Sequence, residues 1–441
     1  MLDNLKRYRI IWLLAALMTA ACSTLEGQPI GQLTVPQSPL LRTLERKSGL
    51  IAFLGVDGNI YTMNQAGKNL AQVTNDAELG DDFIRYYSQV TWAPDGEHIA
   101  YVSYSGSSMT EVEARLYVSQ SSGEQVREIF ASDHLIPVFL YWAPNSLMLS
   151  FLAMQAHGSH GILHVAHVDG GEARVMDTGQ PLFWAWMPSA THILIHSNGA
   201  RSNRPDARLA FISLEDQIVE EGLGRAPGLF QAPAISPDGS HLLLALETDE
   251  GESALMIVDT DGQNSKVIAI SQQAIAFDWS PDGSHIGYLT YKDENHAAHG
   301  TLTFVELETN ENKTLMTIES NVVAFFWAPD GKRVAYFEIE RNVDAHDSSE
   351  EDPIHLSLHV LDVDSRESDL LFSFTPSEQF VGLLPHIDQH QRTFTIWSPD
   401  SQYLAISAYT QAGPAIVIAQ ADGDFEPRVL QPGTLAVWSW Q

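Results

Sequence analysis

A five-residue phrase returns through the chain: an aromatic residue, Ser or Ala, then Pro-Asp-Gly, followed by an apolar stretch. It is intact at Trp92-Ala93-Pro94-Asp95-Gly96, Trp279-Ser280-Pro281-Asp282-Gly283 and Trp327-Ala328-Pro329-Asp330-Gly331. Worn copies stand at Trp142-Ala143-Pro144-Asn145-Ser146, Trp186-Met187-Pro188-Ser189, Ile235-Ser236-Pro237-Asp238-Gly239 and Trp397-Ser398-Pro399-Asp400-Ser401. Each part has a conformational job. Pro fixes φ at the second position of a type I turn, Asp hydrogen-bonds to the backbone just beyond it, and Gly takes the positive φ that lets the chain reverse. The phrase is therefore a hairpin corner. Residues 98–104, 242–246 and 333–339, which follow three of the corners, are rich in the aliphatic and aromatic residues of strands.

Spacing decides the architecture. The corner positions fall at 92, 142, 186, 235, 279, 327 and 397, and Trp438-Ser439-Trp440 supplies an eighth without a corner after it. Steps of 41 to 50 residues, with a single step of 70, match the length of a four-strand blade. One unit shows the order, with strand A over 274–279, B over 285–291, C over 301–307 and D over 313–318. Sustained helical periodicity is missing from the mature chain. Ahead of the first corner, 50–55, 59–64 and 70–74 read as strands B, C and D that lack an A strand. The expected fold is an all-β, eight-bladed β-propeller of four-stranded antiparallel blades over residues 48–441. Its last blade takes one strand from the C-terminus and three from the N-terminus, which removes the open edge. Seven blades is the alternative, if the unit at Trp186 merges with a neighbour.

The Trp-Ser/Ala-Pro-Asp-Gly phrase and the Ile-Ala-Tyr type of strand after it resemble the PD40, or WD40-like, repeat of TolB-type β-propellers. The resemblance covers essentially all of residues 48–441 and implies a fold. It implies no single function, because such propellers occur in envelope scaffolds, beside the catalytic domain of prolyl oligopeptidase-like enzymes and in some lyases. The stretch before Leu50 is too short for the N-terminal α/β domain of TolB, so a Tol-Pal role is not implied.

The chain opens on Lys6, Arg7 and Arg9, an apolar run over 10–18, and Thr19-Ala20-Ala21 ahead of Cys22, the single cysteine. This resembles a bacterial lipoprotein signal, which implies removal of residues 1–21 and acylation of Cys22 as the first mature residue. An ordinary signal peptide cleaved near Ala21 and an uncleaved anchor are the other readings. The apolar run is short for a bilayer span. One cysteine makes no intramolecular disulfide, so the mature fold is expected to be disulfide-free. Residues 22–47 mix Gly27, Pro29, Gly31, Pro36 and Pro39 with polar residues, and read as a flexible tether or as a segment lying along the outside of the domain.

With 56 acidic against 24 basic side chains and a formal charge of -32, the chain is a poor partner for a nucleic-acid backbone. A solvated acidic surface is the simplest account. No Gly-x-Ser-x-Gly elbow, His-Glu-x-x-His pair or P-loop is present. The corner aspartates have a complete structural role in their turns, and residues 259–264, which open like a calcium loop, lack its later bidentate acid and coincide with a C-D turn. The repeated tryptophans are expected to wedge between blades, with Trp184 or Trp440 as the exposed exception. His164 and His167, three apart on a strand, point to opposite faces.

Loop length points to one face. The A-B and C-D turns are tight, as at 121–123, 169–171 and 261–262, whereas the B-C and D-A connections include 78–86, 105–113, 197–206, 292–300, 341–355 and 376–392. Long irregular loops gathered on one rim are where a ligand is expected. The candidate binding rim comprises Asp293, His296 and His299, then Asp344, His346 and Asp347, then His386 and His390. These are metal-ligand residue types in no known ligand spacing, so no metal, cofactor or catalytic residue is assigned. The expectation is a monomeric cell-envelope protein, held to a membrane by lipid on Cys22, binding a protein, peptide or glycan at that rim. A metal-dependent lyase or hydrolase of an extracellular polymer is the alternative.

Overall fold

The structure is a computed structural model that describes residues 49–441 except 81, 108–112, 156, 157, 159, 216, 230, 272–274, 292–299, 308–311 and 341–353. The chain divides into residues 1–44 and 45–441, and all the described residues belong to the second unit. Cys22, the signal and the tether lie outside the described residues, as do Asp293, His296, His299, Asp344, His346 and Asp347.

The two ends of the unit share one sheet. Leu435–Trp438 runs antiparallel to Ile51–Leu54, with Ile51 opposite Trp438 and Leu54 opposite Leu435. Ile60–Met63 and Ala71–Gln72 complete a four-stranded sheet, so three strands come from one end and one from the other. Two further bonds lock the seam: Leu50 N–H donates to Ser439 Oγ at 2.9 Å, and Ser439 N–H donates to the Leu50 carbonyl at 2.8 Å. The closure expected from sequence is present.

Between the ends, the strands from Trp142, Trp186 and Ile235 each form a four-stranded antiparallel sheet. The sheet at Trp92 gains a fifth strand because Glu78–Leu79 folds back on Ile84–Trp92, turning part of an expected loop into a hairpin. The Trp279 and Trp327 units join in one seven-stranded sheet, since Asn312–Trp327 runs unbroken as the outer strand of one and the inner strand of the next. The sheet of Tyr403–Thr410, Gly413–Gln420 and Arg428–Pro432 is met on its inner side by a bridge from Trp397 to Leu404. Burial falls from inner to outer strands. Leu182–Trp186 is buried throughout, while Ser265–Ile270 is largely exposed. Inner strands packed on both faces need continuous apolar runs rather than alternation.

The seven corners share one geometry. In each, the residue at the Gly position donates its N–H to the carbonyl three residues back at 2.8–3.0 Å, from Gly96 to Ala93 through Ser401 to Ser398. The worn copies keep the left-handed backbone, with φ of 59° at Ser146, 57° at Ala190 and 59° at Ser401, against 67–74° at Gly96, Gly239, Gly283 and Gly331. The corner acids do what the turn requires. Asp95, Asp238, Asp282, Asp330 and Asp400 each accept the backbone N–H two residues on. Hydrogen bonds from Ser236 and Ser240 hold the Asp238 carboxyl down at about 2.

Three of the corner tryptophans stitch neighbouring sheets by hydrogen bonds. The indole N–H of Trp92 donates to the Val437 carbonyl at 3.0 Å, Trp186 to Tyr141 at 3.1 Å and Trp397 to Phe326 at 3.0 Å. In every case the acceptor is the residue before the corner tryptophan of the preceding unit. Trp184 is not exposed as the sequence allowed: it is fully buried and donates to Ser150 Oγ, because its strand is enclosed on both faces. Trp440 is the exposed one.

Gly283 isolates the backbone requirement of the corner, since an added Cβ would meet nothing nearer than Pro237 Cδ at 3.5 Å. Gly283→Ala is expected to lower stability by about 1 kcal/mol through its left-handed φ alone, and Gly283→Asn by less. Denaturant midpoints of the two variants check this.

Candidate functional site

By sequence, residues 376–392 belong among the irregular rim loops. The structure instead shows a short helical strap, α1 at Glu378–Val381, a 3-10 turn at Leu384–His386 and α2 at Ile387–His390. Ser377 starts it. Its side chain accepts from Phe380 N–H, pairs with Ser407 Oγ at 2.8 Å and reaches the Thr434 carbonyl, so a fully buried hydroxyl is satisfied on every side. Elements this short have no stability of their own and are held by what they touch.

What the strap touches is the inner strand of each of the other units. Thr91 Oγ1 donates to the Thr393 carbonyl at 2.7 Å, and Trp184 N–H to Gln389 Oε1 at 3.3 Å. Ala232 N–H donates to Asp388 Oδ2 at 2.8 Å, and Trp438 N–H to the Thr395 carbonyl at 2.8 Å. Gln391 donates to the Phe277 carbonyl at 2.9 Å. Arg392 donates to the carbonyls of Pro233 and Phe277, and its Nε lies 3.4 Å from Asp278 Oδ1. Rings complete the circuit, with His390 4.9 Å from Phe139 and Phe394 6.3 Å from Phe326. One connection thus lies where the inner strands converge.

The electrostatics there follow from burial. Burial raises the Asp278 carboxyl above its ordinary value, opposed by the Arg392 guanidinium. Burial also raises Asp388, opposed by the Ala232 N–H and Arg392. The His390 imidazole is pushed down to about 3 by burial and by the neighbouring His386, which leaves it neutral. Tyr141 rises to about 12 through burial. Among the described residues, both amide atoms of Gln231 and the Gln389 Nε2 are buried without a hydrogen-bond partner.

Of the candidate rim residues, only His386 and His390 are described. Both sit against Phe139, but His386 is exposed at 5.6 Å and His390 is buried. They do not share an outward-facing rim, because the strap turns inward. Among the described residues, no three His, Cys, Asp or Glu side chains are grouped as a metal site would need. His164 is buried against Phe151 and His167 is exposed, on opposite faces as expected.

Three features escaped the sequence reading. Asp278 had a signal, a carboxylate in the apolar run Ala276-Phe277-Asp278-Trp279. Gln89 and Phe139 had none: each stands three residues before a corner tryptophan with φ of 57° and 54°, at a register shift of its inner strand. Bulges of this kind re-aim side chains beside functional sites. Between the Gln89 bulge and the strap lies a cavity of about 230 Å³, bordered by Thr91, Gln379, His390 and Phe394. A larger cleft of about 820 Å³ lies between the Ile235 and Trp279 sheets. Its polar groups are already committed, Asp238 to Ser236 and Ser240, and His241 to Ser240.

No family model and no curated protein matches the sequence. Solved structures do match. An oligogalacturonate lyase in complex with manganese aligns with a TM-score of 0.50 and 14% identity, over 84% of this chain and 96% of that one. A eukaryotic initiation factor aligns with a TM-score of 0.50 and 12% identity, over 88% and 97%. The chain is a β-propeller. TolB from Acinetobacter baumannii also matches, at 13% identity over 91% of this chain and 92% of that one, with a TM-score of 0.37. The differing names on one propeller architecture show why the likeness speaks for the fold alone.

Two measurements test the strap. Arg392→Ala, which leaves Asp278 buried beside no counter-charge, is expected to destabilise by about 3–5 kcal/mol, and adding Asp278→Ala to recover part of the loss. Asp388→Asn keeps an acceptor for Ala232 N–H. Because the folded-state value of Asp388 is raised, the folded protein takes up the proton first as pH falls, so stability from this group grows on acidification. Wild type is therefore expected to gain stability relative to Asp388→Asn between pH 7 and pH 5, read from paired denaturation curves.

Proposed function

We propose that this protein is a lipid-anchored, extracytoplasmic β-propeller that binds a protein, peptide or glycan at the face of its B-C and D-A loops, with no chemistry of its own. The observation that carries the reading is the strap: the place where inner strands converge is occupied by the chain itself, so a ligand meets a surface built of loops and strap. The tight, internally satisfied corners of the opposite face have their polar groups spent on turn geometry. No helix among the described residues is long and apolar enough to cross a membrane, and the proposed attachment is the lipid on Cys22. The acidic composition suits an exported, well-solvated monomer.

Cys22→Ser is expected to move the protein from the membrane fraction to the soluble extracytoplasmic fraction and to abolish incorporation of labelled fatty acid. Retention in the membrane would contradict the anchor. Cross-linking from a photoreactive residue at position 344 or 386 is expected to capture a partner that the same probe at corner residue 284 does not. Divalent-metal-dependent cleavage of an acidic polysaccharide by the purified protein would overturn the non-catalytic reading in favour of the lyase or hydrolase alternative.

A further inference from the structure

We propose that the cavity beneath the strap is a binding site for one neutral sugar ring. This rests on the reading of the loop-bearing face as the binding face, and it names the ligand class for that face. The cavity opens beside Gln379 and Gly382, which are exposed, and reaches inward to His390, which is buried. Its volume of about 230 Å³ is room for about eight waters at about 30 Å³ each, below the usual range for drug-sized ligands. That is the scale of a single pyranose.

The lining sets the chemistry. Among the described residues no charged side chain borders the cavity, and burying an unpaired ammonium or carboxylate is costly. The polar groups are amides, hydroxyls and one imidazole. The Gln89 and Gln379 side chains are engaged by no other described residue, and each carries both donors and an acceptor. Thr91 spends its proton on the Thr393 carbonyl and Thr393 spends its own on His390, which leaves their oxygens as acceptors. Phe394, Leu140 and Leu435 supply apolar surface. Donor–acceptor amides beside acceptor hydroxyls and an aromatic ring match the alternating hydroxyls and C–H faces of an uncharged sugar. The left-handed backbone at Gln89 costs stability, and the bulge it forms borders the cavity.

Titration of the mature protein with glucose, galactose and N-acetylglucosamine, followed by ligand-observed NMR, tests the site. Galacturonic acid and glucosamine serve as charged counterparts. At least one neutral probe is expected to bind, with its charged counterpart about tenfold weaker. Gln379→Ala and Gln89→Gly are each expected to weaken binding about fivefold. Gln379 is exposed and glycine accepts the backbone at position 89, so both variants are expected to fold, with an unfolding midpoint no lower than that of wild type as the control. Failure of every neutral probe, equal binding of charged and neutral probes, or unchanged binding in both variants overturns the proposal. A protein partner cross-linked at the rim while all sugars fail removes the sugar site and leaves the binding-face reading standing. Sugar binding with no cross-linked rim partner leaves both standing, with a glycan as the ligand of that face.

Discussion

A ring of sheets leaves the inner edge of every inner strand without a neighbouring strand, and the backbone groups on those edges still need partners. In this protein they find them in one segment. Carbonyls of Pro233 and Phe277 receive the Arg392 guanidinium, and N–H groups of Trp184, Ala232 and Trp438 are received by Gln389, Asp388 and Thr395. The same Arg392 faces Asp278, so the one cation of the strap satisfies two backbone oxygens and a mostly buried carboxylate together. A pair of this kind adds little net stability over an apolar substitute, because desolvation offsets attraction. Its contribution is register. An apolar strap could slide, whereas fork-shaped donors fixed on named carbonyls admit one position.

Around that hub, the ring is assembled from local rules and sealed by one long-range contact. Each corner is a self-contained turn, and three of the corner tryptophans reach back to the preceding unit, Trp92 to Val437, Trp186 to Tyr141 and Trp397 to Phe326. The Trp92 bond joins the first corner unit to the sheet where the two ends of the domain meet, so closure uses the same device as the junctions at Trp186 and Trp397. The cluster of Ile51, Phe53, Ala405, Ile416, Ala436 and Trp438 is the apolar part of that seam.

Much of this was legible because turn chemistry is local. Pro, Asp and Gly in sequence dictate a corner wherever they occur, and the left-handed φ at Ser146, Ala190 and Ser401 shows that position within the repeat carried the signal even where Gly was lost. The pairing of residues 51–54 with 435–438 followed from counting strands. The strap was not legible, since two four-residue helices leave no periodic pattern and every contact that orders them is distant in sequence. The bulges at Gln89 and Phe139 were hidden for another reason: neither residue type favours positive φ, so the conformation is imposed by the fold. His386 and His390 were picked out as ligand types, and packing sent one outward and the other inward.

The strap is the feature on which the candidate site and the proposed ligand both depend, and amide hydrogen exchange addresses it directly. The N–H groups of Gln391 and Phe394 bond to the carbonyls of Ile387 and His390 within the strap. If the strap is integral to the ring, these amides exchange as slowly as those of the inner strand Ile275–Trp279, opening only when the ring opens. Exchange as fast as that of the surface connection at residues 198–206 would show a loop that visits the ring rather than one that organises it.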